Sequence, residues 1–492
     1  MDHSKHKGIV VFSGGSAANS LVDVFGAVRE NRRCPLSYVI PISDNGGSSS
    51  ELIRVFGGPG RLVRLIPDAN DDADDSEKAA IKVFFNHRLP KDRHEAKKEW
   101  LQIVEANHPL WTNISSAKKE LIRSFLNMIN FEIMKRLRPS STFNFSSASI
   151  GNLFLTGARL FSGSFESAIY LLSSICRVPD HTSVIPAINT NFTHHISASL
   201  ADGTTITGQN SISHPSPPQP TRTSSLLEVP STTTSSSYPS TVPTPDPYKE
   251  IHRHTAAPAP TTTHDDTDTI EDANPPGTHP TLRQQNISFS KTLSPSDDLP
   301  ARISRIWYIN PYGAEIRLSA NPRVLSALNA ADAVIYSIGS LYTSLIPSLI
   351  LKGVGEALAN PRIRWKILIL NALNDRETGP SWDAYTAVDF VAAIAKAAAE
   401  SRGVLKGEVP RSEYKTYVTH MIHLTGPGTP RVDKEVLSEL GIECVRVYGR
   451  KLEGEEFVRY DEKALVQALE VLMGRGKDGR TVQRSRRNTS EG

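Results

Sequence analysis

The sequence predicts an α/β protein: a doubly wound, mostly parallel sheet in a three-layer α/β/α arrangement. Three observations carry this. Short apolar runs recur at Ile9–Phe12, Leu36–Ile42, Ala333–Ser337 and Trp365–Leu370, as strands buried on both faces do. Segments of helical periodicity separate many of them. The turns that follow these strands are rich in glycine, serine and asparagine.

The first unit sets the pattern. Ile9, Val10, Val11 and Phe12 form a strand that ends at Ser13-Gly14-Gly15-Ser16. Leu21, Val22, Val24, Phe25 and Val28 then recur at helical spacing. Strand, glycine turn and helix bring backbone N–H groups and a helix N-terminus to one point, which suits a phosphate. Two adjacent glycines also serve as a plain tight connection, and the spacing is neither GxGxxG nor a P-loop. The second strand ends in Ser43-Asp44-Asn45-Gly46-Gly47-Ser48-Ser49-Ser50. An acidic residue there points into the crevice where α/β proteins bind ligands. The competing reading is an Asx turn that caps a helix near Glu51. Two such turns after successive strands favour a ligand.

The chain then changes character. Trp100, Ile103, Val104, Ile122, Phe125, Leu126, Ile129 and Ile133 mark core-facing stripes of a helical insertion over about 70–140. Ser149, Gly151 and Asn152 precede an apolar helix, where capping is the ordinary role. Val184–Ile188 is a short strand, and 196–212 reads as a hairpin turning at Asp202-Gly203. From His214 to about Pro300, Ser, Thr and Pro dominate and aliphatics are sparse. Such a segment cannot bury enough apolar surface to offset its ordering entropy, which predicts a disordered insertion over 214–300. The α/β domain therefore spans 1–213 and resumes over 301–474. It resumes with a strand at Ile306–Ile309, a helix at Asn321–Ala331 and the strand Ala333–Ser337. Gly339-Ser340-Leu341-Tyr342-Thr343-Ser344 follows, then an apolar helix through Leu358. Trp365–Leu370 ends at Asn371. Helices at Ala384–Ala399, Val432–Leu440 and Ala464–Met473 alternate with strands at Tyr417–Leu424 and Cys444–Val447. The basic tail 475–492 is predicted to be disordered.

Composition narrows the function classes. Among 492 residues, Lys+Arg number 55 and Asp+Glu 52, a net charge of +3. That balance argues against a nucleic-acid partner. No apolar run reaches the roughly eighteen residues needed to span a bilayer. Cys34, Cys176 and Cys444 are far apart with no metal-ligand spacing, which predicts free thiols in a reducing compartment. The N-terminus runs directly into the first strand, leaving no room for a signal peptide. The expected location is cytoplasmic.

Four segments taken together are more specific than any one: FSGGSAAN, ISDNGGSSSELIR, SIGNLFLTGA and GSLYTSLIPSLI. Their order and spacing resemble the 2-phospho-L-lactate transferase (CofD-like) superfamily, nearer the gluconeogenesis factor (YvcK-like) branch and its fungal relatives. The resemblance covers most of residues 8–213 and 301–450. It implies a Rossmann-like fold. From the archaeal enzymes it implies transfer of a phospholactyl-type group from a guanosine diphosphate donor to a hydroxyl acceptor, with Mg²⁺. From the other branch it implies a UDP-sugar-binding regulator without established turnover. Either way, the partner is a nucleotide diphosphate or nucleotide sugar. A homodimer is compatible with the resemblance, and the motifs do not decide it.

Carried onto this sequence, Gly14, Gly15 and Ser16 match the family's Gly-Gly-Thr/Ser turn, with Asn19 just inside the helix. Asp44 and Asn45 match the acidic pair of its second loop, followed by Gly46, Gly47 and Ser48. Gly151 and Asn152 match its Gly-Asn pair, and Asn371 its Asn at a strand end. Gly339, Ser340, Thr343 and Ser344 fall in its Gly-Ser-Leu-Tyr-Thr-Ser loop. Phosphoryl transfer needs donors around non-bridging oxygens, a bridging metal and a base near the attacking hydroxyl. The resemblance makes Asp44 and Asn45 the catalytic candidates and Asp44 the Mg²⁺ ligand. One departure stands out. Gly57-Gly58-Pro59-Gly60-Arg61-Leu62 replaces the family's Pro-Pro-Gly-Asp-Leu/Ile-Arg, losing its acidic residue.

Overall fold

β1 (Gly8–Phe12) leads through a 3-10 turn at Ala17–Leu21 into α1 (Val22–Arg32) and β2 (Leu36–Ile40). This computed structural model describes residues 7–14, 17–41, 73–136, 143–189, 194–213, 279, 298–404, 409–451 and 457–474. The 214–300 insertion, but for residue 279 and its last three residues, and the 475–492 tail lie outside them. A helical layer follows: α2 (Ala73–Asn86), α3 (Arg93–Val104), α4 (Ser116–Arg136), α5 (Ile150–Ser162) and α6 (Phe165–Ile175). Then come β3 (Thr182–Pro186), β4 (His195–Leu200), β5 (Thr205–Thr207) and the short α7 (Gln209–Ser213).

The later part holds β6 (Ile303–Ile309), β7 (Glu315–Ile316), α8 (Pro322–Ala330) and β8 (Ala331–Tyr336). A π-helical turn at Leu341–Leu345 runs into α9 (Ile346–Leu349), then α10 (Val354–Ala359) and β9 (Trp365–Ile369). α11 (Ala387–Ser401), α12 (Tyr414–Tyr417), β10 (His420–His423), α13 (Lys434–Glu439) and β11 (Glu443–Arg446) complete the main alternation. β12 (Gly449–Lys451), β13 (Val458–Tyr460) and α14 (Glu462–Met473) close the described chain.

Seven strands form one parallel sheet in the order β11-β10-β9-β8-β1-β2-β3. The order runs one way from β1 to β3 and the other way from β8 to β11. β1 and β8 therefore flank the point where the winding reverses. Alternating residues along each strand feed two cores. Val11, Tyr38 and Ile335 face α1, α14 and the helical layer. Val10, Phe12, Val334 and Tyr336 face α8, α10 and α11. This is the doubly wound sheet expected from the apolar runs, with both faces covered.

Two features depart from the sequence reading. The strand expected at Ile306–Ile309 does not join the parallel sheet. It pairs antiparallel with β4 and β7 in a second sheet ordered β5-β4-β6-β7. An apolar run marks a strand without naming its partner, so period alone could not separate the two sheets. The apolar helix expected through Leu358 is broken into the π turn, α9 and α10. Gly353 takes φ +91°, and the Lys352 N–H leaves the helix to donate to the Leu318 carbonyl at 2.9 Å.

Close helix crossings fix the layers. A Cβ on Gly157 of α5 would stand 1.9 Å from the Phe125 carbonyl oxygen of α4. Backbone is the obstacle, so no rotamer change relieves it. Gly157→Ala is expected to lower unfolding free energy by about 3 kcal/mol, read from the urea midpoint. A loss below roughly 0.5 kcal/mol, the size of an ordinary surface change, would mean that the helices are not packed this closely.

Candidate functional site

The two turns on either side of the winding reversal touch. A Cβ on Gly14, after β1, would lie 2.7 Å from Ser344 Cβ and 2.9 Å from its Cα. Gly339, after β8, has φ +142°, and its own Cβ would stand 3.1 Å from the Gly14 carbonyl oxygen. Only glycine permits both the conformation and the approach. β1 and β8 are neighbours in the ladder, and Ser337 N–H continues it by donating to the Phe12 carbonyl at 3.0 Å. The two turns therefore meet closely at the C-terminal mouths of β1 and β8.

Asn371 fixes the Gly339 turn. Its Oδ1 accepts from the Gly339 N–H at 3.0 Å, and its Nδ2 donates to the Gly339 carbonyl at 2.8 Å. One side-chain amide thus pairs both backbone groups of Gly339, tying the turn to the end of β9.

A buried carboxyl group holds the turn that follows Gly339. Glu377 is 1% exposed. Its Oε2 accepts from the Tyr342 and Thr343 N–H groups, each at 2.9 Å, and its Oε1 accepts from the Thr343 hydroxyl at 2.5 Å. These are the free donors of a helical N-terminus, where an anion is favoured. Burial, then the charge of nearby Asp375, push the Glu377 carboxyl up to about 8. Asp375 is itself pushed up to about 6 by burial, although its Oδ1 accepts from the Glu377 N–H at 3.0 Å. Tyr342 is anchored beneath, its hydroxyl donating to the Ile303 carbonyl at 3.0 Å and lying 2.8 Å from the Tyr385 hydroxyl.

Of the residues expected at the site, Gly14, Gly339, Ser344 and Asn371 are brought together, and Ser340 accepts the Ser344 N–H through its carbonyl at 3.0 Å. Thr343 belongs to the same turn, but its N–H and hydroxyl are engaged by Glu377. Asn19 lies on the 3-10 turn before α1. Gly151 and Asn152 form the first turn of α5, which packs on α4, α2 and α6. Gly15, Ser16, Asp44, Asn45, Gly46, Gly47 and Ser48 lie outside the described residues, as does Gly57–Leu62. Glu377 and Asp375 were not expected. The Asp375-to-Thr378 capping box was the available signal, and it reads as an ordinary helix start.

The sequence model of the family described as 2-phospho-L-lactate transferase CofD matches residues 9–473, nearly the whole chain. The chain belongs to the CofD family. It is similar to an uncharacterized protein of Saccharomyces cerevisiae, 39% identical over 471 residues, covering 93% of this chain and 98% of that one. It is also similar to a provisionally named gluconeogenesis factor of Clostridium acetobutylicum. That match is 30% identical over 149 residues, covering 30% of this chain and 31% of that one. Among solved structures it resembles a UPF0052 family member from Bacillus halodurans, with a TM-score of 0.52 and 17% identity over 94% of this chain and 99% of that one. That last likeness speaks for the fold alone.

For this CofD-family protein, the described residues contain no group of three or more His, Cys, Asp or Glu side chains that could hold a metal. Asp44, the Mg²⁺ ligand that the resemblance implies, lies outside the described residues. No helix among the described residues is long and apolar enough to cross a membrane.

Proposed function

We propose that this CofD-family protein transfers a phospho-acyl group from a nucleotide diphosphate donor to a hydroxyl acceptor at the mouths of β1, β2 and β8. The observation that carries the reading is the contact of the Gly14 and Gly339 turns where the winding reverses. Open α/β sheets bind ligands at that point, outside the carboxyl ends of the strands. In the transfer, the acceptor oxygen bonds to the distal phosphorus and the anhydride bond breaks. The nucleoside monophosphate leaves, and the hydroxyl proton passes to a base. Such chemistry asks the protein for position and charge stabilisation more than for covalent help. The backbone N–H groups of the turn after β1 and the Ser340 and Ser344 hydroxyls would face the phosphates, the Gly339 N–H being held by Asn371. Asp44 would orient the acceptor hydroxyl.

A second reading is a nucleotide-sugar-binding regulator that turns nothing over. What favours it is the internal carboxylate of Glu377, which already engages the Thr343 N–H and hydroxyl. The likeness to proteins provisionally named gluconeogenesis factors favours it too.

Thermal shift separates the two. A ligand at a hundred times its Kd adds roughly 2.7 kcal/mol. A response to GDP that needs Mg²⁺ and disappears in Asp44→Ala is the expected result for the transferase. A response to UDP-glucose or UDP-N-acetylglucosamine, with no product released, points to the regulator. No response to any nucleotide would count against both.

A further inference from the structure

Two buried acceptors have no hydrogen-bond partner among the described residues, one at the end of β10 and one in the loop after β9. His423 is the last residue of β10 and is 3% exposed. Ile422 pairs with Ile369, so His423 stands level with Leu370, one residue before Asn371. Its Nδ1 lies 3.1 Å from the Leu424 carbonyl oxygen. A carbonyl only accepts, so Nδ1 carries the proton and Nε2 of the neutral ring carries a lone pair. Burial, with Lys434 and Arg446 nearby, disfavours the charged ring. Nε2 is buried and has no hydrogen-bond partner among the described residues.

Asn374 supplies the second acceptor, in the loop after β9. Its Nδ2 donates to the Tyr385 carbonyl at 3.0 Å, which fixes the orientation of the amide. Its Oδ1 is buried and unpartnered among the described residues. The loop crosses towards the end of β10, since a Cβ on Gly428 would meet Leu373 Cδ2 at 2.7 Å. Buried acceptors are nearly always paired, so two at adjacent strand mouths call for an explanation. Arg32 Nε and Asp332 Oδ1 are also unpartnered, but those residues pair with each other, Asp332 standing near the start of β8.

We infer that His423 Nε2 and Asn374 Oδ1 form a subsite that accepts hydrogen bonds from an uncharged, donor-bearing group of a phosphorylated ligand. That group is either the N–H edge of a base or the hydroxyls of a sugar. The inference rests on the reading above, in which the phosphates lie at the Gly14 and Gly339 turns. β10 is two strand spacings from β8, about 10 Å, which a nucleoside attached to a phosphate can reach. Two lone pairs repel a phosphate oxygen and attract a donor, so the subsite and the glycine turns take opposite ends of one ligand.

The test is calorimetric titration of the full chain with pyrophosphate, ribose 5-phosphate, GDP and UDP, each with Mg²⁺. His423→Phe is compared with wild type. The expected result is unchanged affinity for pyrophosphate and at least a tenfold loss for one or more of the others. A loss that includes ribose 5-phosphate assigns sugar hydroxyls; a loss confined to GDP or UDP assigns the base. If every ligand binds the variant as it binds wild type, the subsite is overturned and the nucleotide reading stands. If wild type binds none of the four, the nucleotide reading fails and takes the subsite with it. Should His423→Phe not fold, Asn374→Ser carries the same comparison.

Discussion

Glu377→Ala is expected to cost about 2–4 kcal/mol of stability, because three donors that converge on one buried carboxylate lose their acceptor together. The Tyr342 and Thr343 N–H groups and the Thr343 hydroxyl have no substitute nearby in the described hydrogen-bond network. Glu377→Gln keeps an acceptor oxygen for the two N–H groups and should lose about half as much. The two variants also differ from wild type in pH dependence. The folded carboxyl takes a proton more readily than the unfolded one, since burial raises it to about 8. Between the ordinary Glu value of about 4.3 and 8, the folded state therefore binds more protons. Stability contributed by the group is present at the acid end of that window and is lost as pH rises through it. Asp375, raised by burial to about 6, adds a slope of the same sign. Urea midpoints at pH 5.5 and 8.5 should fall with pH in wild type and fall less in Glu377→Gln. An equal fall in both would remove Glu377 from the account.

Gly14→Ala is expected to weaken nucleotide binding about a hundredfold, or roughly 2.7 kcal/mol, while the chain still folds. The new methyl would meet the Cβ, Cα and Oγ of Ser344, so the two turns must part. Stability should drop by about 1–3 kcal/mol, as overpacking does. The double variant Gly14→Ala, Ser344→Gly removes the Cβ and Oγ that the methyl strikes. It should recover part of the lost stability, read from the urea midpoint, although the Cα at 2.9 Å remains. Calorimetric titration with GDP and UDP reads the affinity of Gly14→Ala. Affinity that survives Gly14→Ala unchanged would mean that the contact between the turns plays no part in binding.

The scaffold was largely legible because its signals are local. Val10, Val11 and Phe12, or Val334 and Ile335, are apolar and β-branched or aromatic, and both their faces are covered. The turns were legible for the same reason, since glycine at Gly339 answers a backbone angle set within the turn. Glu377 was not legible. It sits 34 residues after Thr343 in a short polar loop, and only the folded chain brings its carboxylate to the turn. His423 was hidden at the end of an apolar strand, where a histidine looks like any half-buried residue. The β4–β5 hairpin was legible from its Asp202-Gly203 turn, but its pairing with β6 was not, because that pairing is a long-range choice that neither strand announces. The loop from Ser43 to Ser48 lies outside the described residues.

Hydrogen–deuterium exchange with and without a nucleotide diphosphate in Mg²⁺ tests the central claim most directly. The account predicts slowed exchange in peptides covering 13–19, 43–48 and 337–345, the turns at the mouths of β1, β2 and β8. Protection confined to the helical layer of residues 73–175, with none at the Gly14 and Gly339 turns, would contradict it.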